Sequence, residues 1–278
     1  MAEHDTAVER PPRAAATVVV VRDGPVGIEV LLLRRAERGD HNSGAWVFPG
    51  GVVDAADRAA LPFCRGVEAA DADARLGVTA HALDYWVAAV RECFEEAGLL
   101  FARDREGRAL APDAARDARL PSWRGPLQRG EQALAALCHE EGLTLAVDEL
   151  VYFSHWVTPV GRPKRFDTRF FIARAPQGQT AAHDDGELVE QLWLSPTAAL
   201  TRTEPLKLLT PTQKTLEAIA RFDSVDALLA WARAPREVPL IQPQIGTGRD
   251  GTRPVTPDEP AFAELRRIDP GCLGFASY

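Results

Sequence analysis

Long apolar runs, cysteine clusters and basic tracts are all missing from this chain of 278 residues. Its longest apolar stretches, such as Thr17–Val21 and Val30–Leu33, are far shorter than the roughly 20 residues of a membrane-spanning helix. No basic tract offsets the formal net charge of −8, so there is no electrostatic case for nucleic-acid binding. We therefore expect neither a membrane nor a nucleic acid as a partner.

The few cysteines lie far apart from one another. Cys64, Cys93, Cys138 and Cys272 form no CxxC pair and have no histidine at a zinc-like interval. We therefore predict reduced and mostly buried thiols. The N-terminus has acidic residues before any apolar run, which does not suit a signal peptide. The expected location is the cytoplasm.

What the chain does contain is an alternation of strand-like and helix-like segments. Two runs around a turn at Asp23-Gly24-Pro25 predict a hairpin, Ala14–Arg22 and Gly27–Arg35. Residues 100–130 are polar and interrupted by prolines, which predicts irregular structure. Further strands are predicted near 149–157, 168–174 and 188–194, and helices near 131–141, 211–222 and 224–233. Proline and glycine dominate beyond residue 234, where we expect an extended tail.

One predicted helix, from an N-cap at Asp84 to a C-cap at Gly98, carries an unusual acidic stripe. Glu92, Glu95 and Glu96 stand at i, i+3 and i+4, so the helix places all three carboxylates on one face. Repulsion at this spacing opposes helix formation by roughly 0.2–0.5 kcal/mol per pair. A hard divalent cation removes that penalty and prefers oxygen ligands. Taken alone, such a stripe is more often just a solvated acidic face.

Upstream of this helix, a short strand with Trp46 leads into a turn at Pro49-Gly50-Gly51. Two adjacent glycines suit a backbone that takes unusual dihedral angles and approaches a ligand closely. A turn of this kind is by itself only a turn. In order with the acidic helix, it predicts one site made from both segments.

These two segments together resemble the signature of the Nudix hydrolases. That signature is Gly, five residues, Glu, seven residues, and then Arg-Glu-apolar-x-Glu-Glu-x-Gly-apolar. The chain matches every fixed position from Arg91 to Leu99, but it has Asp57 where the family has glutamate. It also places 33 residues between Asp57 and Arg91, where the pattern has seven. The signature is thus interrupted by an insertion of 26 residues, 58–83.

The resemblance implies an α/β fold, in which a mixed central sheet lies within an α/β/α sandwich, with extra C-terminal helices and a tail. On this basis we predict a flexible arm at 1–13, the hydrolase domain at 14–234 and a Pro/Gly-rich extension at 235–278. The cofactor implied is Mg²⁺ or Mn²⁺. A bound ion of this kind makes water a usable nucleophile and offsets charge on the leaving phosphate.

The resemblance also implies a role for each signature position. It makes Glu92 either a further metal ligand or the group that deprotonates the attacking water, and it makes Arg91 the residue that holds a glutamate in place. The implied metal ligands are Glu95, Glu96, Glu92 and the carbonyl of Gly50. The implied structural positions are Gly51, Asp57 and Gly98.

The flanks of the signature resemble the coenzyme A diphosphatase branch of the family, and so does the insertion. Cations that could bind a substrate with several phosphates are Arg34, Arg35, Lys164 and Arg169. A second acidic segment offers Glu187 as a further catalytic carboxylate, with Glu190 behind it. The expected reaction is hydrolysis of coenzyme A or acyl-coenzyme A to 3′,5′-ADP and (acyl-)4′-phosphopantetheine.

Several alternatives remain open at this point. The same chemistry could act on NADH, ADP-ribose or a nucleotide sugar, or the domain could be a Nudix-like regulatory module without activity. Retention of three mutually repelling glutamates argues against the second of these. An interaction protein assembled through the C-terminal tail has little support. A homodimer is left open as the oligomeric state.

Overall fold

A computed structural model of the protein describes residues 11–37, 39, 42–110, 113–184, 186–248, 251–262 and 276–277. The chain divides into a larger compact unit, 15–153 with 169–236, and a smaller one built from 1–14, 154–168 and 237–278. Most of the predicted arm at 1–13 lies outside the described residues. The predicted domain boundaries stay predictions.

The larger unit is built on the predicted hairpin, strands β1 (Arg13–Gly24) and β2 (Gly27–Arg35). The short strands β3 (Trp46–Val47) and β4 (Gly50–Val52) pair antiparallel with β2 and β1 respectively. Strand β9 (Leu188–Leu194) also pairs antiparallel with β2. These pairings bring the glycine turn and the second acidic segment onto the same hairpin.

Helix α2 (Leu83–Ala97) carries the acidic stripe on one face and packs its apolar face on this sheet. Alternate residues of β1 and β2 point to the same core. The shared core includes Trp86, Val87, Val90 and Phe94 of the helix and Ala16, Val18, Val20, Leu31 and Leu33 of the strands. The intervening strand residues Val19, Val21, Val30 and Leu32 are fully buried as well, so both faces of the sheet are covered. The site is therefore anchored on a packed layer.

The insertion within the signature is ordered. A 3₁₀ helix, Ala55–Phe63, leads into it, and α1 (Ala69–Leu76) comes next. A cavity of about 420 Å³ lies between these two elements and the start of α2. The prediction that Asp84 caps α2 is wrong, because the helix begins at Leu83 and the Asp84 carboxylate instead pairs with Arg58 at 2.8 Å. Gly98 ends the helix in a left-handed conformation with φ +69°.

The segment predicted to be irregular contains a helix, α3 (Ala114–Gln128). The Asp113 side chain caps it by accepting the N–H groups of Ala115 and Arg116. Pro121 and Pro126 lie inside it. Because proline usually breaks a helix, the sequence did not predict one here. Strands β5 (Ala102–Asp104) and β6 (Leu143–Leu145) pair with each other, and α4 (Leu134–Glu141) ends at Gly142 as expected.

The remaining elements of the larger unit follow the predictions closely, except for a short helix at Pro196–Thr201 that was not predicted. Strands β7 (Val151–Val157) and β8 (Phe166–Arg174) each belong partly to the larger and partly to the smaller unit, and the described residues of the larger unit contain three further helices. These helices are α5 (Pro196–Thr201), α6 (Thr210–Ile219) and α7 (Val225–Arg233). Of the described residues, none belongs to a helix that is both long and apolar enough to cross a bilayer.

The smaller unit contains much of the segment for which an extended tail was expected, and strands form within it. Strand β10 (Leu240–Ile241) pairs parallel with the end of β7. The sheet that contains β7 therefore has both parallel and antiparallel strand pairs. Strands β11 (Gln244–Gly248), β12 (Gly251–Val255) and β13 (Ala276–Ser277) form a second small sheet in the order β12–β11–β13. Backbone pairing in both sheets thus gives this proline-rich segment regular structure.

Candidate active site

The glycine turn and the acidic helix meet although an insertion separates them in the chain. The Gly50 N–H donates to Glu96 Oε2 at 2.8 Å. A Cβ placed on Gly51 would lie 2.4 Å from Glu92 Oε1, so only glycine leaves room for that carboxylate. The interruption therefore leaves the geometry of the signature intact.

Arg91 ties the two halves together. Its Nε donates to Asp57 Oδ1 at 2.7 Å, and one terminal nitrogen donates to the Val52 carbonyl at 2.9 Å. The other terminal nitrogen donates to Glu92 Oε1 at 2.8 Å and lies 3.4 Å from Glu95. Asp57 is 2% exposed and also accepts the Asp54 N–H at 2.8 Å. The shorter aspartate therefore fills the supporting position, because the 3₁₀ helix brings its carboxylate within reach of Arg91.

The three glutamates of α2 are held in an environment that disfavours negative charge. Burial raises the pKa of Glu95 to about 7, against the opposing effect of Arg91. Burial also raises the pKa of Glu92 and places that of Glu96 well above its usual value, and the glutamates add mutual repulsion. Carboxylates that are buried with too little positive charge fit a divalent cation, which would relieve both effects.

These side chains are not gathered into a finished coordination sphere. In the part of the chain that the structure describes, no three His, Cys, Asp or Glu side chains are arranged to hold a metal ion. Arg91 engages Glu92 and Glu95, and the Gly50 N–H engages Glu96, so protein donors hold the oxygens that a cation would bind. The metal-ligand roles of Glu92, Glu95, Glu96 and the Gly50 carbonyl stay predictions.

The second acidic segment reaches the same site. Glu187 lies close enough to Glu92 and Glu96 to raise the pKa of both, whereas Arg35 lowers that of Glu96. Arg35 pairs with Glu187 at 2.7 Å. A bulge between Arg34 and Arg35 shifts the register of β2 against β9, and bulges redirect side chains in this way. Three sequence-predicted residues, Glu187, Arg35 and Glu96, are thereby brought together.

The other predicted substrate cations are placed differently. Arg34 stands opposite Glu190 across the strand pair and lies 2.8 Å from its carboxylate. Arg169 is buried, with its guanidinium carbon 5.6 Å from the centroid of the Tyr85 ring. Lys164 is exposed and belongs to the smaller unit. Arg35, in contrast, lowers the pKa of a carboxylate on the acidic helix, that of Glu96.

The sequence analysis assigned no role to three residues that contact the site. Arg124 and Gln128 of α3 bond to the Glu95 carbonyl and to Asp184 respectively. Asp184 in turn accepts the N–H of Glu187 at 3.1 Å. Asp184 lies in the same acidic segment as Glu187, so its closeness in sequence could have indicated a role beside Glu187. The two α3 residues carry no such signal, because no helix was predicted in their segment.

Gly51→Ala should lower turnover at least tenfold with little change in melting temperature. The added methyl group would displace the Glu92 carboxylate, which is the far end of a flexible side chain, so the cost falls on geometry rather than on folding. Steady-state kinetics and thermal unfolding measure the two effects. Gly125→Ala, within α3, is the matched control and should leave turnover unchanged. Wild-type turnover in Gly51→Ala would mean that the position of the Glu92 carboxylate is not important for the reaction.

Comparison with known proteins agrees with this geometry. A family model described as the NUDT19 Nudix domain matches residues 63–222, and a general NUDIX domain model matches 11–113. The chain is 29% identical to the acyl-coenzyme A diphosphatase NUDT19 of Gallus gallus over 284 aligned positions, covering 87% of this chain and 74% of that one. The Homo sapiens protein of that name is 31% identical over 209 positions, covering 62% and 55%.

A solved structure supports the same assignment. The crystal structure of a NUDIX hydrolase from Alicyclobacillus acidocaldarius superimposes with a TM-score of 0.66 at 33% identity, over 79% of this chain and 96% of that one. The expected α/β architecture is therefore confirmed. Because the NUDT19 domain model spans more than half of the chain and the signature residues converge in space, the chain belongs to the Nudix hydrolases and carries a Nudix domain of the NUDT19 type.

Proposed function

We propose that this enzyme hydrolyses the pyrophosphate bond of coenzyme A or acyl-coenzyme A. The observation that carries this is the similarity to acyl-coenzyme A diphosphatases along 87% of the chain, together with a signature whose catalytic helix is complete. Water would add to one phosphorus of the pyrophosphate and the bridging P–O bond would break. The products would be 3′,5′-ADP and (acyl-)4′-phosphopantetheine.

Residues of the described site would divide this work. Glu95, Glu96, Glu92 and the Gly50 carbonyl would hold the divalent ion, which we propose to be Mg²⁺ or Mn²⁺. When bound, the ion lowers the pKa of water and offsets charge on the phosphates. Glu187 would take the proton of the attacking water, because it stands beside Glu92 and Glu96 and is 37% exposed at its side chain. Arg91 would keep the glutamates in place.

Cations on β2 would receive the phosphates. Arg35 pairs with Glu187 and lowers the pKa of Glu96, and its planar guanidinium suits bidentate binding of a phosphate. Arg34 next to it pairs with Glu190 at the sheet surface and would exchange that partner for a phosphate group. We retain Arg169 and Lys164 as further candidates for the 3′-phosphate.

A cytoplasmic enzyme is part of the same proposal. The three cysteines that the structure describes, Cys64, Cys93 and Cys138, are free thiols, and two of them are buried. Burial raises the pKa of Cys64 and of Cys138 to about 12, so these thiols are poorly reactive. This supports the reduced state expected from the sequence.

A substrate panel tests the proposal. Purified protein with Mg²⁺ or Mn²⁺ should give its highest kcat/KM on coenzyme A and acyl-coenzyme A, with 3′,5′-ADP detected by chromatography. The panel should also contain NADH, ADP-ribose and a nucleotide sugar. Preferential cleavage of one of these three would reject the coenzyme A substrate, and no turnover of any would favour the non-catalytic alternative.

A further inference from the structure

Helix α3 contacts the catalytic helix and the second acidic segment with the same face. Arg124 donates from Nε and from a terminal nitrogen to the Glu95 carbonyl, at 3.1 and 2.9 Å. One turn later, Gln128 Nε2 donates to Asp184 Oδ2 at 2.6 Å. Residues at i and i+4 are neighbours on a helix surface. The helix therefore bridges two segments that each carry a proposed functional carboxylate.

The Asp184 carboxylate that binds Gln128 also binds the backbone of Glu187. Its Oδ2 accepts the backbone N–H of Glu187 at 3.1 Å, and its Oδ1 accepts that of Leu188 at 2.7 Å. One carboxylate thus receives the Gln128 side chain and the backbone N–H groups of Gly186, Glu187 and Leu188. These bonds fix the backbone from which the Glu187 side chain extends.

Further bonds hold the same segment against its two neighbours. The Ala182 N–H donates to the Ala97 carbonyl in the last turn of α2 at 2.8 Å. On the other side, the Glu187 carbonyl accepts the Ala36 N–H at 2.9 Å, while its side chain pairs with Arg35. Asp184 lies between these attachments. Removing it would free the backbone N–H of Glu187, while the Ala182 attachment and the bonds of the Glu187 carbonyl and carboxylate persist.

We propose that Asp184 is a positioning residue for Glu187, and that Arg124 and Gln128 of α3 set the distance between Glu187 and the glutamates of α2. This inference rests on the proposed function, in which Glu187 takes the proton of the attacking water. A catalytic group misplaced by about 1 Å can cost about a hundredfold in rate. Supporting hydrogen bonds of a metal site typically contribute 10–100-fold.

The test combines two substitutions. Asp184→Ala should lower kcat at least tenfold and leave KM within about twofold, because Arg35, which would bind the phosphates, is positioned by strand β2. In a Glu187→Gln background the same substitution should have almost no further effect, since Asp184 acts through Glu187. A general weakening of the fold would lower both backgrounds alike, and that result would overturn the inference.

Hydrogen exchange provides a readout that needs neither substrate nor metal. The amides of Glu187 and Leu188 should exchange faster in Asp184→Ala, and that of Glu187 also in Asp184→Asn, whose side-chain nitrogen cannot accept an N–H. Unchanged protection of the Glu187 amide would overturn the inference. So would faster exchange with wild-type kcat, since the bond would then be dispensable.

Matched controls separate this role from loss of any similar contact. Asp104 also accepts a backbone N–H, that of Arg108 at 2.8 Å, but in the turn after β5. Asp104→Ala should leave kcat unchanged. Gln128→Ala should lower kcat about threefold, whereas Gln213→Ala on α6, which removes an exposed bond to Glu217, should not. If wild-type protein fails to cleave coenzyme A, the proposed function fails, and the exchange measurement still decides the role of Asp184.

Discussion

Replacing Glu95 by glutamine should lower kcat by two to three orders of magnitude, on the order of 3–4 kcal/mol in the activation barrier. Glutamine keeps the shape of the side chain but removes the charge that would hold a divalent ion. Glu95 is 4% exposed, so water can replace the lost carboxylate only poorly as a metal ligand. Single-turnover kinetics with saturating metal measures the loss.

The same substitution should stabilise the metal-free protein. Burial raises the pKa of Glu95 to about 7, from a value of 4.5 for the free side chain. Between these values the folded protein holds a proton that the unfolded chain has lost, so stability falls as the pH rises through this interval and is level above it. The advantage of Glu95→Gln should therefore grow from about pH 5 to pH 7, reach on the order of 3 kcal/mol, and grow no further.

Thermal unfolding in the presence of a chelator measures this difference across the pH range. Adding Mg²⁺ or Mn²⁺ should stabilise the wild type more than the variant. Glu217→Gln, at a half-exposed position of α6, is the control and should change neither turnover nor the pH profile of stability. Wild-type turnover in Glu95→Gln would exclude Glu95 from the site.

Arg91→Ala should destabilise the protein by about 3–5 kcal/mol, the usual cost of leaving one partner of a buried ion pair without the other. Asp57 would keep a buried charge with only the Asp54 N–H bound to it, and the Val52 carbonyl would lose its donor. Activity should fall as well, because nothing would then hold Glu92 in place. Arg91→Lys should recover only part of the stability, since lysine lacks the planar fork that binds both partners.

A double-mutant cycle isolates the pair. Asp57→Asn should be less harmful in the Arg91→Ala background than in the wild type, because it removes the uncompensated charge. Arg129→Ala is the surface control: its partner Glu131 is 56% exposed, and its loss should cost less than about 1 kcal/mol. Equal costs for the Arg91 and Arg129 variants would mean that Arg91 does not join the two halves of the signature.

Local patterns were enough to predict the core of this fold. The hairpin, the acidic helix and its glycine cap depend on residues close together in the chain, so periodicity and capping rules apply directly. The convergence of Gly51 with Glu92 followed from the family signature. The fit of Asp57 could not be foreseen, because it depends on a 3₁₀ helix within the insertion.

The features that escaped prediction depend on contacts between distant segments. Tertiary bonds from Arg124 and Gln128 help to hold α3 in place, although two prolines weaken its helical signal. The bulge beside Arg35 arises from the pairing of β2 with β9, which are separated by some 150 residues. Strands in the C-terminal segment likewise form only by pairing with partners. Propensity is a weak guide wherever pairing and packing decide the outcome.

The insertion is closed at its base by two ion pairs, Asp57 with Arg91 and Arg58 with Asp84. The N-terminal end of the excursion is thus tied to α2, and its C-terminal end continues directly into that helix. Lengthening a closed loop is inexpensive, at about 0.6 kcal/mol per doubling. Evolution could therefore change the length and sequence of this segment, and with it the cavity it borders, while the catalytic helix stayed constant. The interrupted signature is in this sense a point of tolerated variation, where new surface can be added to an old reaction centre.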